Sequence, residues 1–515
     1  MHERIKEDCR MILRIKGTDT QYYIQTLCLI FFPGAHFSES EKPAPDVPEI
    51  EVSVRKEDGT YMVYTSMKLG AKFVEATGSA VPSEDIKDEK RLEKIAIGRA
   101  IFSAGKSLLG YTNPWGILTG VRPAKVANEI IKAGAGIQKA RRILRDEYFL
   151  NPKKAALVVS VANTENRVLK KLPDNLCSVY ISIPFCPSRC AYCSFISYAG
   201  EKLLPLLEDY LETLLLDVYH TFALIKARGL RVATVYIGGG TPTVLNEKQL
   251  AKLLSAICEC VDVASLMEFT MEAGRPDTIT EEKLRIAYAY GVTRISVNPQ
   301  TLNEEVLKTI GRRHTVEDFY RAYDIAVQSG IPDINVDLIA GLTGDNFESF
   351  SRTLDKVLEL SPSNLTVHTF AVKRASNILR ENNQVYSIIG GDVAKSVDYS
   401  QLRTKASGYI PYYMYRQKNT IGNQENVGYA KEGREAYYNI FMMEEIHSIF
   451  GVGAGAVTKL IRRDENGKQQ IQRIFTPKYP YEYLRDAALI REGDDERPSL
   501  EQRVNEFFDG GNSNT

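Results

Sequence analysis

Three cysteines within eight residues constrain this chain more than any other feature. Cys186, Cys190 and Cys193 lie in the segment V-Y-I-S-I-P-F-C-P-S-R-C-A-Y-C-S-F, directly after an apolar run that predicts a strand. Three thiolates at C-x3-C-x2-C spacing on one short loop can bind three irons of a four-iron, four-sulfur cluster, and the fourth iron stays open. A structural zinc normally takes four protein ligands, and no second C-x2-C pair follows. The spacing therefore predicts a cluster with one iron free to bind a substrate or cofactor.

The composition excludes several classes of partner and compartment. Among 515 residues, 65 lysines and arginines balance 65 aspartates and glutamates, so the net charge favours neither nucleic acid nor an acidic surface. The eight cysteines indicate a reducing compartment and not a disulfide framework. No apolar run approaches the ~18 residues of a spanning helix, and the first residues are charged where a signal peptide needs an apolar run. We therefore expect a cytoplasmic protein with neither a nucleic-acid nor a membrane partner.

The first part of the chain predicts strands followed by helices. Three runs have strand character, and the turn Glu57-Asp58-Gly59 joins the last two into a hairpin: R-M-I-L-R-I-K, E-I-E-V-S-V-R and T-Y-M-V-Y-T-S-M-K. The next pattern predicts a helix that Ser83 caps, that runs through Leu109 and that ends at Gly110. Three further helical stretches follow. Residues 1–175 thus predict an N-terminal domain that is α+β and then helical.

The middle of the chain repeats strand, loop and helix, which predicts a parallel sheet covered by helices. The expected strands lie near 179–184, 233–238, 267–273, 293–297, 333–339 and 364–370. The expected helices lie near 202–227, 246–260, 280–290, 303–329 with a break, and 346–360. Six such units are too few for a closed eight-stranded barrel. We therefore predict an α/β fold with a partial (β/α)6 barrel over residues 176–376, and a C-terminal α+β extension, 377–515, that covers its open side.

Residues with binding chemistry follow the carboxyl ends of the predicted strands, where ligands bind in such sheets. The cysteine loop follows the first strand, and G-G-G-T-P-T from Gly238 to Thr243 follows the second. Consecutive glycines let a ligand approach the backbone closely, although they also suit a tight turn without a ligand. The later strands end at or just before four more residues: Glu272, Gln300, Asp337 and Ala371. These positions predict one site at this edge of the sheet.

These motifs together resemble a known family. C-x3-C-x2-C after a strand resembles the signature of the radical S-adenosylmethionine (SAM) superfamily, in which the open iron binds the amino and carboxylate groups of SAM. The wider Y-I-S-I-P-F-C resembles the oxygen-independent coproporphyrinogen III oxidases and their relatives. W-G-I-L-T-G-V-R-P and Y-Y-M-Y-R-Q-K-N extend the resemblance to the coproporphyrinogen dehydrogenase subgroup HemZ. The resemblance implies a [4Fe-4S] cluster and SAM as cofactors.

The resemblance also assigns individual residues. The cluster ligands are the three cysteines of the loop. The residues that match the family's SAM site are Tyr180, Tyr192, Gly239, Gly240, Thr241 and Glu272. The residues that match positions around an additional SAM are Gln300, Arg312, Asp337 and Ala371, with Val457 a weaker match.

The family's reaction supplies the functional hypothesis. Hydrogen abstraction from a propionate β-carbon, followed by loss of carbon dioxide and one electron, would convert coproporphyrinogen III to protoporphyrinogen IX. Such a reaction needs a tetrapyrrole substrate and an electron donor such as flavodoxin or ferredoxin. Lys373, Arg374 and Arg416 are cationic candidates for the propionates, or else solvated surface charges. Trp115, the single tryptophan, is either a buried packing anchor or a contact for the flat macrocycle.

Two departures from the oxidase pattern keep alternatives open. Phe195 stands where the oxidases have a further cysteine, as in the haem-chaperone relatives, and Ser182 stands where the family has histidine. A haem chaperone would keep the cluster and SAM but bind haem through an axial ligand. The histidines available for that role are His314, His368 and His447. A third alternative is another radical reaction on a tetrapyrrole.

Overall fold

The computed structural model describes residues 10–38, 43–83, 86, 88–170, 172–193, 198–199, 205–371, 391–417, 420–465, 467–492 and 498–510. These residues form two compact units. The first contains the described parts of Met1–Asn166, Asn383–Ala394 and Met414–Asn426. The second contains those of Arg167–Asn382, Lys395–Tyr413 and Val427–Thr515. The division into domains 1–175, 176–376 and 377–515 stays a prediction.

The first unit begins with a five-stranded sheet of order β2-β1-β3-β4-β5. Its elements are β1 (Arg10–Lys16), α1 (Gln21–Phe31), β2 (His36–Ser38), β3 (Glu49–Glu57), β4 (Thr60–Leu69) and β5 (Lys72–Ala80). The predicted hairpin of β3 and β4 is confirmed, and φ is positive at both turn residues, 46° at Asp58 and 77° at Gly59. A two-residue hairpin turn of this kind matches the twist of its strands. Helix α1 and strands β2 and β5 were not predicted.

Four helices follow this sheet: α2 (Glu89–Leu109), α3 (Pro123–Lys132), α4 (Ile137–Asp146) and α5 (Pro152–Leu169). The prediction of Ser83 as the first N-cap was wrong. The carboxylate of Asp88 caps α2 instead and accepts a hydrogen bond from the Arg91 amide at 2.7 Å. Gly110 ends α2 in the left-handed conformation, as predicted.

The second unit contains most of an eleven-stranded sheet with the order β14-β15-β13-β12-β11-β10-β9-β6-β16-β17-β18. All six predicted strands are confirmed: β6 (Leu176–Ile183), β9 (Arg231–Gly239), β10 (Glu268–Glu272), β11 (Arg294–Ser296), β12 (Asp333–Ala340) and β13 (Asn364–Thr369). They pair in chain order and in parallel. This is the topology of a partial (β/α)6 barrel. A separate two-stranded pair is formed by β7 (Phe185–Cys186) and β8 (Tyr198–Ala199).

Helices connect these strands at the predicted positions. They are α6 (Leu206–Ala227), α7 (Glu247–Cys260), α8 (Glu281–Ala289), α9 (Glu304–Thr309), α10 (Val316–Gln328) and α11 (Phe347–Glu359). The predicted break falls between α9 and α10, where the Thr315 hydroxyl caps α10 in a capping box with Asp318. None of the described helices is long and apolar enough to span a membrane.

The remaining elements belong to the C-terminal part of the chain. They are α12 (Gly391–Ala406), β14 (Tyr409–Arg416), β15 (Glu425–Lys431), α13 (Tyr437–Glu444), β16 (Ser448–Val452), β17 (Val457–Arg463), β18 (Gln469–Phe475), α14 (Pro480–Glu492) and α15 (Leu500–Phe508). Strands β14 and β15 extend the sheet beyond β13, and β16 to β18 extend it beyond β6. That the extension covers the open side of the barrel stays a prediction.

Candidate functional site

The cysteine loop follows β6 at the carboxyl end of the sheet. Cys190 is buried, and Cys186 and Cys193 are half-buried. The loop is held locally by a hydrogen bond from the Cys193 amide to the Cys190 carbonyl, at 3.1 Å, and by one from the Ala191 amide to the Ile310 carbonyl, at 2.9 Å. Across the described ranges, no three His, Cys, Asp or Glu side chains converge as ligands of one metal ion. In a four-iron cluster each thiolate binds its own iron, so the donor set of this loop suits a cluster.

The glycine motif after β9 packs directly against the cysteine loop. The Gly240 amide donates to the Ile183 carbonyl and the Thr241 amide to the Phe185 carbonyl, both at 2.8 Å. A Cβ on Gly240 would lie 2.4 Å from the Phe185 oxygen, so this glycine is required by the close approach of two chain segments. The Thr241 hydroxyl lies 3.3 Å from the Cys186 sulfur. The motif is therefore in contact with the predicted cluster site.

Three stacked tyrosines lie beside Glu272. The ring of Tyr236 is 4.5 Å from that of Tyr438 and 6.0 Å from that of Tyr180. The Tyr236 hydroxyl donates to Glu272 Oε1 at 2.5 Å. Burial, together with the charge of Asp337, raises the pKa of Glu272 to about 7, although the Tyr236 hydrogen bond opposes the shift. Tyr236 and Tyr438 were not among the predicted site residues, since their positions show no pattern other than that of buried aromatic residues.

Asp337 lies in the same polar cluster as Glu272, but its pKa is lowered whereas that of Glu272 is raised. It accepts hydrogen bonds from the side-chain amides of Asn335, at 2.8 Å, and Asn298, at 2.9 Å. His368 Nε2 lies 3.7 Å from Asp337 Oδ2. Burial alone would raise the pKa of Asp337, but its interaction with His368 and its hydrogen bond from Asn335 hold that pKa below the ordinary value. Two neighbouring carboxyl groups with diverging pKa values are typical of functional sites.

Two predicted residues from distant segments meet at the cysteine loop. The Arg312 guanidinium donates to the Tyr192 hydroxyl at 2.8 Å and to the Gly274 carbonyl at 3.2 Å. Arg312 is buried, so these contacts replace the water that it would otherwise bind. The predicted SAM-site residue Tyr192 and the predicted second-site residue Arg312 are therefore adjacent.

Gln300 has a strained backbone and an unsatisfied side chain. Its φ is 68°, a left-handed conformation that is uncommon for residues other than glycine. Hydrogen bonds with the Asp337 carbonyl and the Ile339 amide hold the backbone in place. The side chain is buried, and Oε1 accepts no hydrogen bond from any part of the chain that the structure describes. Backbone strain of this kind clusters at ligand-binding sites, and a buried acceptor without a protein partner can accept a hydrogen bond from a ligand.

Comparison with known proteins identifies the family of this chain. Residues 180–357 match the Radical SAM superfamily. The chain is 41% identical over 381 residues to the oxygen-independent coproporphyrinogen-III oxidase-like protein HemZ of Bacillus subtilis, covering 73% of this chain and 75% of that one. It is 31% identical over 282 residues to the haem chaperone HemW of Lactococcus lactis, covering 54% and 68%. This chain belongs to the radical SAM superfamily, among the HemZ-like proteins. Its cofactors are a [4Fe-4S] cluster and SAM.

A solved structure is similar over a comparable part of the chain. Coproporphyrinogen III oxidase HemN from Escherichia coli, described as a radical SAM enzyme, is 22% identical with a TM-score of 0.49. The similarity covers 65% of this chain and 73% of that one.

The position where the oxidases have histidine serves an internal contact in this radical SAM protein. The Ser182 hydroxyl donates to the Ala454 carbonyl at 2.8 Å. The Tyr210 hydroxyl donates to the Ser182 carbonyl, at 2.7 Å, and accepts from the Ala454 amide, at 3.0 Å. Val457 begins β17 three residues after Ala454. Ser182 therefore binds β6 to the loop before Val457.

The three candidate histidines lie in different surroundings. His314 and His447 are buried, and burial lowers the pKa of each to about 4. His447 Nε2 is 2.8 Å from the Ser178 hydroxyl, inside the sheet. The side chain of His368 is 26% exposed, beside Asp337. Of the three, His368 alone combines partial exposure with a place among the predicted site residues.

Trp115 and Arg416 form a buried pair in the first unit. The guanidinium carbon of Arg416 lies 4.9 Å from the centre of the Trp115 ring. Arg416 donates to the Leu118 carbonyl at 2.5 Å and to Asn423 Oδ1 at 2.6 Å, and both side chains are buried. The interpretation of Arg416 as a solvated charge was wrong, and its guanidinium is engaged by protein groups. The remaining candidates Lys373 and Arg374, and also Phe195, lie outside the described residues.

Proposed function

We propose that this protein oxidatively decarboxylates the propionates of coproporphyrinogen III to vinyl groups and so forms protoporphyrinogen IX in porphyrin and haem biosynthesis. The observation that carries the proposal is the extent of the likeness to HemZ. It spans 381 residues at 41% identity, whereas the likeness to the Lactococcus chaperone spans 282 residues at 31%. The longer likeness extends well beyond residues 180–357, so it includes segments outside the shared radical SAM core. The common fold does not decide the substrate, so a likeness that extends beyond it supports a shared function.

We assign the cluster to Cys186, Cys190 and Cys193. The residues that we assign to SAM are Tyr180, Tyr192, Gly239, Gly240, Thr241 and Glu272, and those around an additional SAM are Gln300, Arg312, Asp337 and Ala371. When bound, the cluster and SAM supply hydrogen abstraction and one-electron oxidation. The chain itself has to hold the substrate near SAM and exclude water.

The protonation of the two carboxyl groups suits this role. Asp337 stays ionised at neutral pH, because its hydrogen bonds lower its pKa, and it offers an acceptor of fixed charge. Glu272 changes its protonation close to neutrality, since its pKa is about 7. The Tyr236 hydroxyl, which donates to Glu272, belongs to a ring that stacks with Tyr180 and Tyr438, and this apolar surface beside the carboxyl group limits the access of water.

The partners and the compartment follow from the same chemistry. The reaction takes a tetrapyrrole and draws electrons from a low-potential carrier such as flavodoxin or ferredoxin. The low cysteine content, eight among 515 residues, supports a reducing, cytoplasmic environment. We therefore propose a cytoplasmic enzyme that works with a reduced electron carrier.

Anaerobic turnover tests the proposal. Reconstituted protein is incubated with SAM, a reductant and coproporphyrinogen III, and both 5′-deoxyadenosine and vinyl-bearing product are quantified. A decarboxylase forms them in proportion, because each hydrogen abstraction uses one SAM-derived radical. SAM cleavage that neither depends on coproporphyrinogen nor yields vinyl product would contradict the proposed reaction.

The second candidate is a haem chaperone, favoured by the 31% and 30% identity to the HemW proteins of Lactococcus lactis and Escherichia coli. Within this chain the observation that favours it is the partly exposed His368 beside Asp337. A chaperone would bind haem stoichiometrically, and His368→Ala would remove or shift its Soret band. His220→Ala, on the surface of α6, serves as the matched control. Haem binding that survives His368→Ala unchanged would exclude this residue as the axial ligand.

A further inference from the structure

Arg275 is a buried cation next to the cysteine loop that no motif of the sequence singled out. It follows β10 in the segment G-R-P, three residues after Glu272. Its side chain is only 4% exposed. An arginine so deeply buried needs partners for its charge and for all its N–H groups.

The contacts of Arg275 use all five N–H groups of the guanidinium. Nε and Nη2 donate to the two carboxylate oxygens of Asp277, at 2.9 and 3.0 Å. Nη2 also donates to the Ser188 hydroxyl at 3.0 Å, and Nη1 donates to the Ser188 carbonyl at 3.3 Å. The fifth N–H, on Nη1, points to the sulfur of Cys190 at 3.6 Å. One side chain thus binds both the backbone and the middle cysteine of the loop.

Asp277 fixes the orientation of this guanidinium. The bidentate pair holds the planar group in one position. Asp277 belongs to a short turn whose next residue, Thr278, hydrogen-bonds the Thr243 hydroxyl at 2.6 Å. Thr243 ends the glycine motif. Arg275 is therefore anchored to the two loops that flank the predicted cluster site.

We propose that Arg275 is a positioning residue for the cluster, which holds the Cys190 sulfur in place and raises the reduction potential of the bound cluster. The inference rests on the proposed assignment of Cys190 as a cluster ligand. Hydrogen bonds to cluster sulfurs are among the factors that set the potential, because they stabilise the more negative, reduced state. A positive donor within a buried site exerts this effect strongly, since little water screens it.

Lysine cannot reproduce these contacts. Its ammonium group has three N–H donors on a flexible chain and lacks the planar fork that Asp277 and Ser188 occupy. Arg275→Lys therefore separates the effect of charge from that of geometry. Arg275→Met removes both and keeps a side chain of similar length.

The test compares reconstituted Arg275→Met and Arg275→Lys with the wild type and with Arg313→Met, which removes an exposed arginine one residue beyond Arg312. The reduction potential is measured by a redox titration followed by electron paramagnetic resonance, and iron release to a chelator by absorbance. Arg275→Met should lower the potential and release iron about 10-fold faster, in line with the loss of metal affinity of about 10-fold or more when a group that supports a metal ligand is removed. Arg275→Lys keeps the positive charge, so its reduction potential should lie between those of Arg275→Met and the wild type. It loses the planar fork, so it should release iron as fast as Arg275→Met. Arg313→Met should match the wild type in both measurements.

The outcomes separate this inference from the site assignment. Cys190→Ala is reconstituted in parallel. If it loses the cluster while both Arg275 variants keep the wild-type potential and iron release, Arg275 has no such role and the cysteine assignment stands. If Cys190→Ala keeps a full cluster, both are overturned. Far-ultraviolet circular dichroism checks the fold of each variant, and Arg275→Lys decides the result if Arg275→Met does not fold.

Discussion

The Tyr236 hydroxyl donates a hydrogen bond of 2.5 Å to Glu272 across two neighbouring parallel strands, β9 and β10. The same tyrosine stacks on Tyr438 from α13, so Glu272 is enclosed by aromatic rings on one side. Asp337 adds a second carboxyl group to the same cluster and raises the pKa of Glu272 further. This arrangement makes the protonation of Glu272 sensitive to pH near neutrality, and it can be tested through stability.

Glu272 should make the stability of the apoprotein depend on pH. Its pKa is about 7 in the folded chain and 4.5 ordinarily, so the folded state binds more protons between these values. The stabilisation is fully present below pH 4.5 and is lost as pH rises through 7, a change of about 3 kcal/mol. Urea unfolding at pH 5.5 and pH 8 should therefore show the wild type losing stability relative to Glu272→Gln. A difference between the two proteins that does not change with pH would contradict the raised pKa.

Tyr236→Phe should move the pH range over which this stability is lost to higher pH. The hydroxyl opposes the rise in the pKa of Glu272, so its removal raises that pKa further, and loss of the buried hydrogen bond destabilises the fold by about 1 kcal/mol. Urea unfolding of Tyr236→Phe and of the double variant Tyr236→Phe/Glu272→Gln, compared over the same pH range, measures the shift in the pKa of Glu272. Tyr438→Phe keeps the stacked ring and leaves the hydrogen bond from Tyr236 to Glu272 intact, so it should not change the pH range over which stability is lost.

The three loop cysteines should each be required for the cluster. Cys186→Ala, Cys190→Ala and Cys193→Ala should each remove the brown absorbance and the reductive cleavage of SAM together, because two thiolates do not hold a four-iron cluster. Cys258→Ala is the matched control, since this cysteine lies on α7, where its sulfur is 3.6 Å from the Tyr290 carbonyl. Iron and sulfide analysis with SAM turnover measures the outcome. A Cys193→Ala protein that keeps both properties would refute the assignment.

Gln300→Gly should stabilise the fold and weaken SAM binding. Glycine adopts the positive φ of 68° without strain, and it removes a buried side-chain oxygen that lacks a partner among the described residues. The expected gain is about 1 kcal/mol, measured by denaturant unfolding of the apoprotein. Loss of the amide should raise the dissociation constant of SAM in calorimetry. Ser361→Gly relieves a similar φ of 55° at another position and should leave SAM binding unchanged.

The barrel could be predicted because its signals are local. Apolar runs separated by helical patterns locate all six strands within a few residues, and the spacing of Cys186, Cys190 and Cys193 identifies the cluster loop without any tertiary information. The hairpin turn at Asp58 and Gly59 is likewise encoded by two residues that tolerate positive φ. Strand β5 was missed, because K-F-V-E-A-T-G-S-A has weak strand character. Gly78 in this strand is required by tertiary packing, because a Cβ there would lie 2.2 Å from the Ala96 carbonyl oxygen of α2.

The sequence by itself thus determined the (β/α)6 repeat and the donor set for the cluster. Only the tertiary structure decided which side chains surround that set, because those contacts join residues far apart in the chain. Arg275 reaches Cys190 across 85 residues, and Tyr236 reaches Glu272 across 36. The contact of the buried Arg416 with Trp115 likewise joins residues that are far apart in the chain. Such pairs leave no periodic pattern, since each depends on the distance and dielectric environment that folding creates.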